Sequence, residues 1–279
     1  MKPTPRLLLP LLSCFLLCTG VRAQIPTASS PAGSPYGTPK ANQSVIGLRD
    51  AAAIDQFLYY IEGIGSPSRE QLLRQNIKSY MMPIRTCPAP QLEWAYALTS
   101  AAEYYVNLNN NFKDNLSPDY LAMNLNAQGK PVRITDGLNL LVQEGTVSAA
   151  IVPYGSTTIP RAVYSTEKVQ IANFSYLFQP ETRARNRVFE TKKALSRGNP
   201  VIVALGTDAS FTSLRTPVYS PAGALTETHY LTVVGYDSET GEFELRGIFG
   251  RLWAGAGYVR VSFDDFGRMA TNGFVLVPR

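Results

Sequence analysis

Histidine is almost absent from this chain of 279 residues, which holds a single one, His229. One imidazole with no acidic cluster at ligand spacing excludes a histidine-based metal centre, because zinc sites draw three or four ligands from closely placed His, Cys, Asp or Glu. No cofactor-binding signature is found either. Cysteine is nearly as scarce. Of three, Cys14 and Cys18 fall in the first two dozen residues and Cys87 stands alone beyond them, so no disulfide can form within the remainder. Beyond the first two dozen residues no apolar run approaches the roughly 20 residues that a membrane-spanning helix requires. Charge of one sign is also modest: 26 Lys and Arg against 21 Asp and Glu give a net +5. Part of it gathers in Arg183, Arg185, Arg187, Lys192, Lys193 and Arg197. No nucleic-acid motif accompanies that stretch, so it reads as a solvated face, not a nucleic-acid interface. Non-specific attraction to acidic lipid headgroups or an anionic envelope polymer remains open.

What is present begins with a leader. Residues 1–23 combine a basic start (Lys2, Arg6), an apolar stretch from Leu7 to Leu17 and Val21-Arg22-Ala23 before Gln24, the layout of a cleavable signal peptide. A lipid anchor on Cys14 is the weaker reading, because the apolar stretch continues past it. The expected location is secreted or periplasmic, and a lone remaining cysteine fits a bacterial envelope protein. Residues 24–44 carry Pro31, Pro35 and Pro39 among Ser, Thr and Gly, a flexible tether. Residues 45–81 show two helical patterns: Leu48, Ala52, Ile54, Leu58 and Ile61, then, after Gly65-Ser66-Pro67, Leu72, Leu73 and Ile77. They are read as a short helical lead-in.

Residues 82–279 form the main body, long enough for one domain of two lobes. Its first part reads as helices: Trp94 to Asn107, a second from Ser117-Pro118-Asp119 through Leu125, and a third over Gly137 to Glu144, capped by Asp136 and ended by Gly145. After a helix around Lys192 to Ser196 its second part reads as strands, at 200–205, 230–236, 242–246, 257–262 and 273–277, with a turn at 237–241. Helices followed by antiparallel strands make an α+β pattern.

Several segments, in order, resemble one family. Met82-Pro83-Ile84-Arg85 leads after seven positions to Glu93-Trp94-Ala95-Tyr96-Ala97. Ser117-Pro118-Asp119-Tyr120-Leu121, the run from Leu138 to Gly145, and Val152-Pro153-Tyr154 follow. Then come Ala194-Leu195 with Asn199-Pro200-Val201, the strand from His229 to Tyr236, and the loop from Gly247 to Tyr258. This series is similar to that of the papain-type cysteine peptidases. The resemblance implies their two-lobed fold, a helical left lobe and an antiparallel β-barrel-like right lobe, here with a short helical amino-terminal extension.

Carried over position by position, the resemblance puts Glu93 where the family has its nucleophilic cysteine and Cys87 at the glutamine of the oxyanion hole. Gly247 stands at the asparagine that orients the imidazole, and His229 at the histidine itself. The two glycines that hold substrate backbone would fall near 131–134, where neither is found. Three of the four catalytic parts are therefore replaced. A carboxylate at a helix start is well placed against the helix dipole, yet it attacks acyl groups poorly and would give an anhydride. The reading is an exported pseudopeptidase, not an enzyme, acting as a binding or structural component of an envelope or extracellular protein assembly. Its partner would be another protein or peptide, and its oligomeric state is left open. Glu93 and His229 are expected to form an ion pair across the lobes in place of thiolate and imidazolium. The alternative is an active cysteine hydrolase using Cys87 with His229, although Pro88-Ala89-Pro90 after Cys87 cannot open a regular helix there. An acid–base activity of Glu93 with His229 ranks below both. Trp94, Phe249 and Trp253 are candidate cleft or binding residues, and packing in the core or cleft wall beside the dyad is the favoured reading of them.

Overall fold

The computed structural model describes residues 46–58, 73–110, 113–126 and 132–279. The readings of a signal peptide over 1–23 and a tether over 24–44 lie outside these residues, as do residues 59–72 of the lead-in.

The central element is α2, Glu93–Asn110. Pro90 opens a short 3-10 turn, Pro90–Leu92, that leads straight into it. No glycine or proline interrupts α2, and Ala95, Ala97, Ala101 and Ala102 favour the helical backbone. Fourteen of its 18 residues are buried, so it is enclosed nearly all round, as a helix running between two lobes must be. Against it lie α3, Pro118–Asn126, and α4, Ile134–Gln143. Ser117 Oγ accepts from the Tyr120 amide at 3.1 Å to cap α3. The third helix starts earlier than the sequence reading placed it. Asp136 is not its cap but a first-turn residue, whose carboxylate accepts from the Arg133 amide at 3.0 Å. Gly145 ends the segment as expected, with φ of +79°.

The second half is an antiparallel sheet: β2 Ile171–Phe178, β3 Val201–Thr207, β4 Glu227–Asp237, β5 Glu242–Arg246, β6 Tyr258–Ser262 and β7 Ala270–Pro278. Its order is β2-β7-β3-β4-β5-β6. Successive side chains on a strand face opposite ways. On β3, Val201, Val203 and Leu205 accordingly join one core cluster and Ile202 the other. The Ile202 face packs on α2. The opposite face is covered by α5, Ala184–Ser196, and α6, Phe263–Met269. Burying each such side chain is worth about 1.5–3 kcal/mol.

The lead-in differs from the helical reading in its second half. Helix α1, Ala51–Phe57, is present and capped by Asp50, but Arg74–Asn76 forms strand β1 on Gly235–Asp237 of β4, and Lys78–Tyr80 is a 3-10 turn. A three-residue strand has too little local pattern to declare itself; its partner on β4 supplies the order. The first half of the lead-in is part of the body. Leu48 exchanges backbone hydrogen bonds with Phe174 and Tyr176 at 2.9 and 2.8 Å, and Leu48, Ile54 and Leu58 are buried in the sheet core.

Candidate functional site

Two elements bring the site together. Glu93 is the first residue of α2, where the positive end of the helix dipole favours a carboxylate, and it is 3% exposed. His229 lies on β4 opposite Leu205 and is 6% exposed. Its Nδ1 is 3.0 Å from both Glu93 oxygens, and the Tyr230 amide donates to Glu93 Oε2 at 3.4 Å. The cross-lobe contact expected from the sequence is therefore present.

The other ring nitrogen holds a residue that the sequence reading missed. With Gly247 in the asparagine position, the imidazole was expected to lack an orienting partner, yet His229 Nε2 lies 3.2 Å from Glu227 Oε2. The signal was available: residues two apart on a strand share a face. A neutral imidazole has one N–H and one lone pair, and a lone pair facing a carboxylate is repulsive, so only imidazolium satisfies both contacts. Burial of the ring disfavours that charge, while the hydrogen bonds and charges of Glu93 and Glu227 favour it. The net direction raises the imidazole pKa above its ordinary value.

Aromatic rings fix the imidazole plane. Phe211 stacks on it at 5.5 Å and 21°, and Phe249 meets it edge-on at 5.3 Å and 88°. Phe249 is partly buried at this edge. Trp253, by contrast, is 3% exposed and donates from Nε1 to the Phe211 carbonyl at 2.7 Å. Trp94, also 3% exposed, packs in the helical core over Gly137, where a Cβ would sit 2.6 Å from Trp94 Cε3. Neither tryptophan offers a face to a ligand, so both take the packing role and not the binding one. Gly247 is likewise a packing position: a Cβ there would lie 2.8 Å from Trp253 Cε3.

Cys87 sits in the loop before the 3-10 turn. Its amide donates to the Ile248 carbonyl at 2.7 Å and its Sγ lies 3.2 Å from the Ala89 carbonyl. Burial pushes its thiol up to about 11, offset in part by the Ala89 contact and reinforced by the charges of Glu93 and Asp119. The segment before it is held by two arginines. Arg85 pairs with the fully buried Glu103 of α2. Arg246 on β5 donates to Ser100 Oγ at 2.6 Å and to the Met82 and Pro83 carbonyls at 2.7 and 2.9 Å. Of the expected backbone-holding region, Pro131 lies outside the described residues, and residues 132–134 contain no glycine. Among the described residues no three His, Cys, Asp or Glu side chains come together to hold a metal ion.

No protein-family model matches the sequence. One curated protein, gamete and mating-type specific protein A of Dictyostelium discoideum, is 25% identical over 203 residues. The match covers 70% of this chain and 44% of that protein, so the chain spans less than half of the curated relative's length. Solved structures align over more. The cysteine protease CMS1MS2 of Carica candamarcensis, determined with E-64, has a TM-score of 0.61 at 14% identity, covering 74% of this chain and 99% of its own. Procathepsin L 3 of the Tenebrio molitor larval midgut has 0.62 at 17%, covering 78% and 73%. Xylellain, a cysteine protease of Xylella fastidiosa, has 0.60 at 17%, covering 84% and 96%. Agreement of this extent at such low identity is agreement of architecture, and the chain has the two-lobed α+β fold of the papain-like cysteine proteases.

Proposed function

We propose that this chain is an exported papain-like pseudopeptidase, a domain that binds a protein partner within an envelope or extracellular assembly and does not cleave peptide bonds. The observation that carries the reading is His229 held between Glu93 and Glu227. A general base must have a free nitrogen within reach of the nucleophile's proton. Here both nitrogens face carboxylates, and the group in the nucleophile's place is itself a partner that favours the charged form of the ring. Loss of a peptidase nucleophile costs a factor on the order of 10⁶ in turnover in a comparable serine system. The alternative, a hydrolase using Cys87, meets a thiol raised to about 11, which leaves a thiolate fraction on the order of 10⁻⁴ at neutral pH. Export rests on the leader-like residues 1–23, and the binding role on a peptidase fold whose reactive positions are filled by other residue types.

The test is hydrolysis of a fluorogenic dipeptide amide and of casein by the wild type and by Glu93→Cys, with mass-spectrometric detection of E-64 on Cys87. No turnover above buffer by either protein, no adduct, and recovery of a stoichiometric partner on crosslinking in the native source are the expected results. Hydrolysis by the wild type that disappears in Cys87→Ala would establish the alternative instead.

A further inference from the structure

Leu252 is 85% exposed, in the loop whose Phe249 and Trp253 turn into the core. One exposed apolar side chain is ordinary, but this one belongs to a surface built by two loops. The chain after the 3-10 turn Phe211–Ser213 runs alongside it. The Ala254 amide donates to the Leu214 carbonyl at 2.9 Å, and Arg215 Nη1 donates to the Leu252 carbonyl at 2.8 Å. Pro217 and Val218 follow, both exposed, and a Cβ on Gly255 would lie 2.9 Å from Pro217 Cβ. Leu252, Pro217 and Val218 are therefore presented on one surface.

The tip is held outward. Ala254 and Ala256 have φ of +47° and +56°, left-handed conformations that disfavour a residue with a Cβ. Trp253 is tied to the Phe211 carbonyl at 2.7 Å, and the Gly257 amide donates to the Trp253 carbonyl at 2.8 Å. With the backbone fixed in this way, Leu252 is buried only by something outside the chain. The charge of the surface has one sign. No Asp or Glu occurs in 209–226 or in 245–263. Arg215 and Arg251 are exposed, and among the described residues no carboxylate pairs with either. Arg246 is buried and Arg260 pairs with Glu242, so the two exposed guanidinium groups carry the charge here.

We infer that this surface docks on an anionic lipid bilayer, with Leu252 inserted at the acyl boundary and Arg215 and Arg251 among the headgroups. Arginine suits that place because its stem lies along apolar surface while its head stays in water. An apolar tip flanked by cations gains both from burial and from the negative surface potential. A protein partner fits less well. A standard interface buries about 800 Å² on each side, whereas the apolar part here is a tip of one leucine beside a proline and a partly exposed valine. A fluid bilayer needs no matching face. The lipid contact goes beyond the proposed protein-binding role and does not depend on it.

The test is co-sedimentation of the full chain with phosphatidylcholine vesicles and with vesicles in which about half of the lipid is phosphatidylglycerol. Binding to the second is expected to exceed binding to the first and to weaken with added salt. Leu252→Ser should weaken it by a factor of about 10, and Arg251→Gln by about fivefold. Both side chains are exposed, so the fold is expected to survive these changes. Phe189→Ser, at an exposed ring on α5, should leave binding as in the wild type. The apolar residues of 1–23 are present in every variant, so differences between variants report the loop. Affinity unchanged in Leu252→Ser, equal binding to both vesicles, or a loss in Phe189→Ser as large as that in Leu252→Ser would overturn the inference. So would soluble polyglutamate that displaces the protein from vesicles and binds Leu252→Ser as tightly as the wild type, which would assign the arginines to an acidic protein. Hydrolysis of a peptide by the wild type would refute the pseudopeptidase reading and leave this docking surface standing.

Discussion

Glu93→Gln preserves the length and shape of the side chain and removes its charge, so it isolates the electrostatic part of the contact with His229. The side chains of Glu93 and His229 are 4% and 8% exposed, so water screens this pair little. Glu227, at 42%, is screened and contributes less. A hydrogen bond to a charged group is worth about 1.5–3 kcal/mol, and breaking a buried ion pair costs up to about 3–5 kcal/mol. Glu227 remains as a second acceptor, which places the expected loss near the lower figures, about 2–3 kcal/mol.

That loss depends on pH, and its sign follows from the direction of the imidazole shift. The folded pKa of His229 is raised, while an unfolded histidine titrates near about 6.5. The stabilisation is then fully present below about pH 6.5 and disappears as pH rises through the folded value. Each tenfold gain in proton affinity on folding corresponds to about 1.4 kcal/mol. In Glu93→Gln, burial of the ring is opposed by Glu227 alone, so the folded pKa falls and the pH dependence flattens. Because His229 is the only histidine, a single imidazole curve by NMR reports the shift without assignment. Urea unfolding of both proteins at about pH 5.5 and about pH 9 reports the energy. A wild-type imidazole titrating at or below about 6.5, or an equal penalty at both pH values, would refute the reasoning.

Gly247→Ala brings a Cβ to 2.8 Å from Trp253 Cε3, so the ring must move and its bond to the Phe211 carbonyl must lengthen. The expected cost is about 1–3 kcal/mol, read by denaturant unfolding together with a change in tryptophan emission; an unchanged midpoint would show that the loop yields freely. Ala254→Gly should act the other way. Ala254 has φ of +47°, a left-handed conformation that costs a residue with a Cβ about 1–2 kcal/mol, whereas glycine adopts it freely and loses part of that gain to chain entropy. A net rise of up to about 1 kcal/mol in unfolding free energy is expected, and a fall would mean that the Ala254 methyl packs more favourably than its strain costs.

How far the sequence reached follows from the range of the signals. Helices α2 and α3 announced themselves through alanines and the Ser117-Pro118 start, because those preferences act within one turn. Strands β3 to β7 were legible from β-branched runs between glycines and acids. Strand β2 and helix α6 were not. Ile171 to Phe178 lies outside the segments that the resemblance covered, and α6 is seven residues long with Gly267 near its end. Its stability comes from Ser262 capping Asp265 and from Phe266 in the core. At the site, Glu93 opposite His229 was readable from the ordered motifs. Glu227 needed only strand alternation from His229, but the resemblance directed attention to Gly247.

The geometry around Gly247 bears on how readily the site would accept an orienting amide. An asparagine at this position would need the space that the Trp253 ring fills, and that ring is tied by its own N–H to the Phe211 carbonyl, with Phe211 in turn stacked on His229. Moving Trp253 to admit an orienting amide therefore disturbs the plane of the imidazole it is meant to orient. A cysteine at Glu93 meets a second obstacle. Glu227 remains on the other ring nitrogen, and the resemblance puts Cys87 where the family has an amide donor for the oxyanion. The thiolate would have a charged partner, but the developing oxyanion would lack that donor, a loss worth about 2.7–4 kcal/mol in the barrier for one such group. Glu93→Cys is thus expected to reform an ion pair without regaining turnover. On the proposed reading, the contact that orders Glu93 and His229 is separable from the machinery that would stabilise a transition state, and turnover by Glu93→Cys would refute that separation.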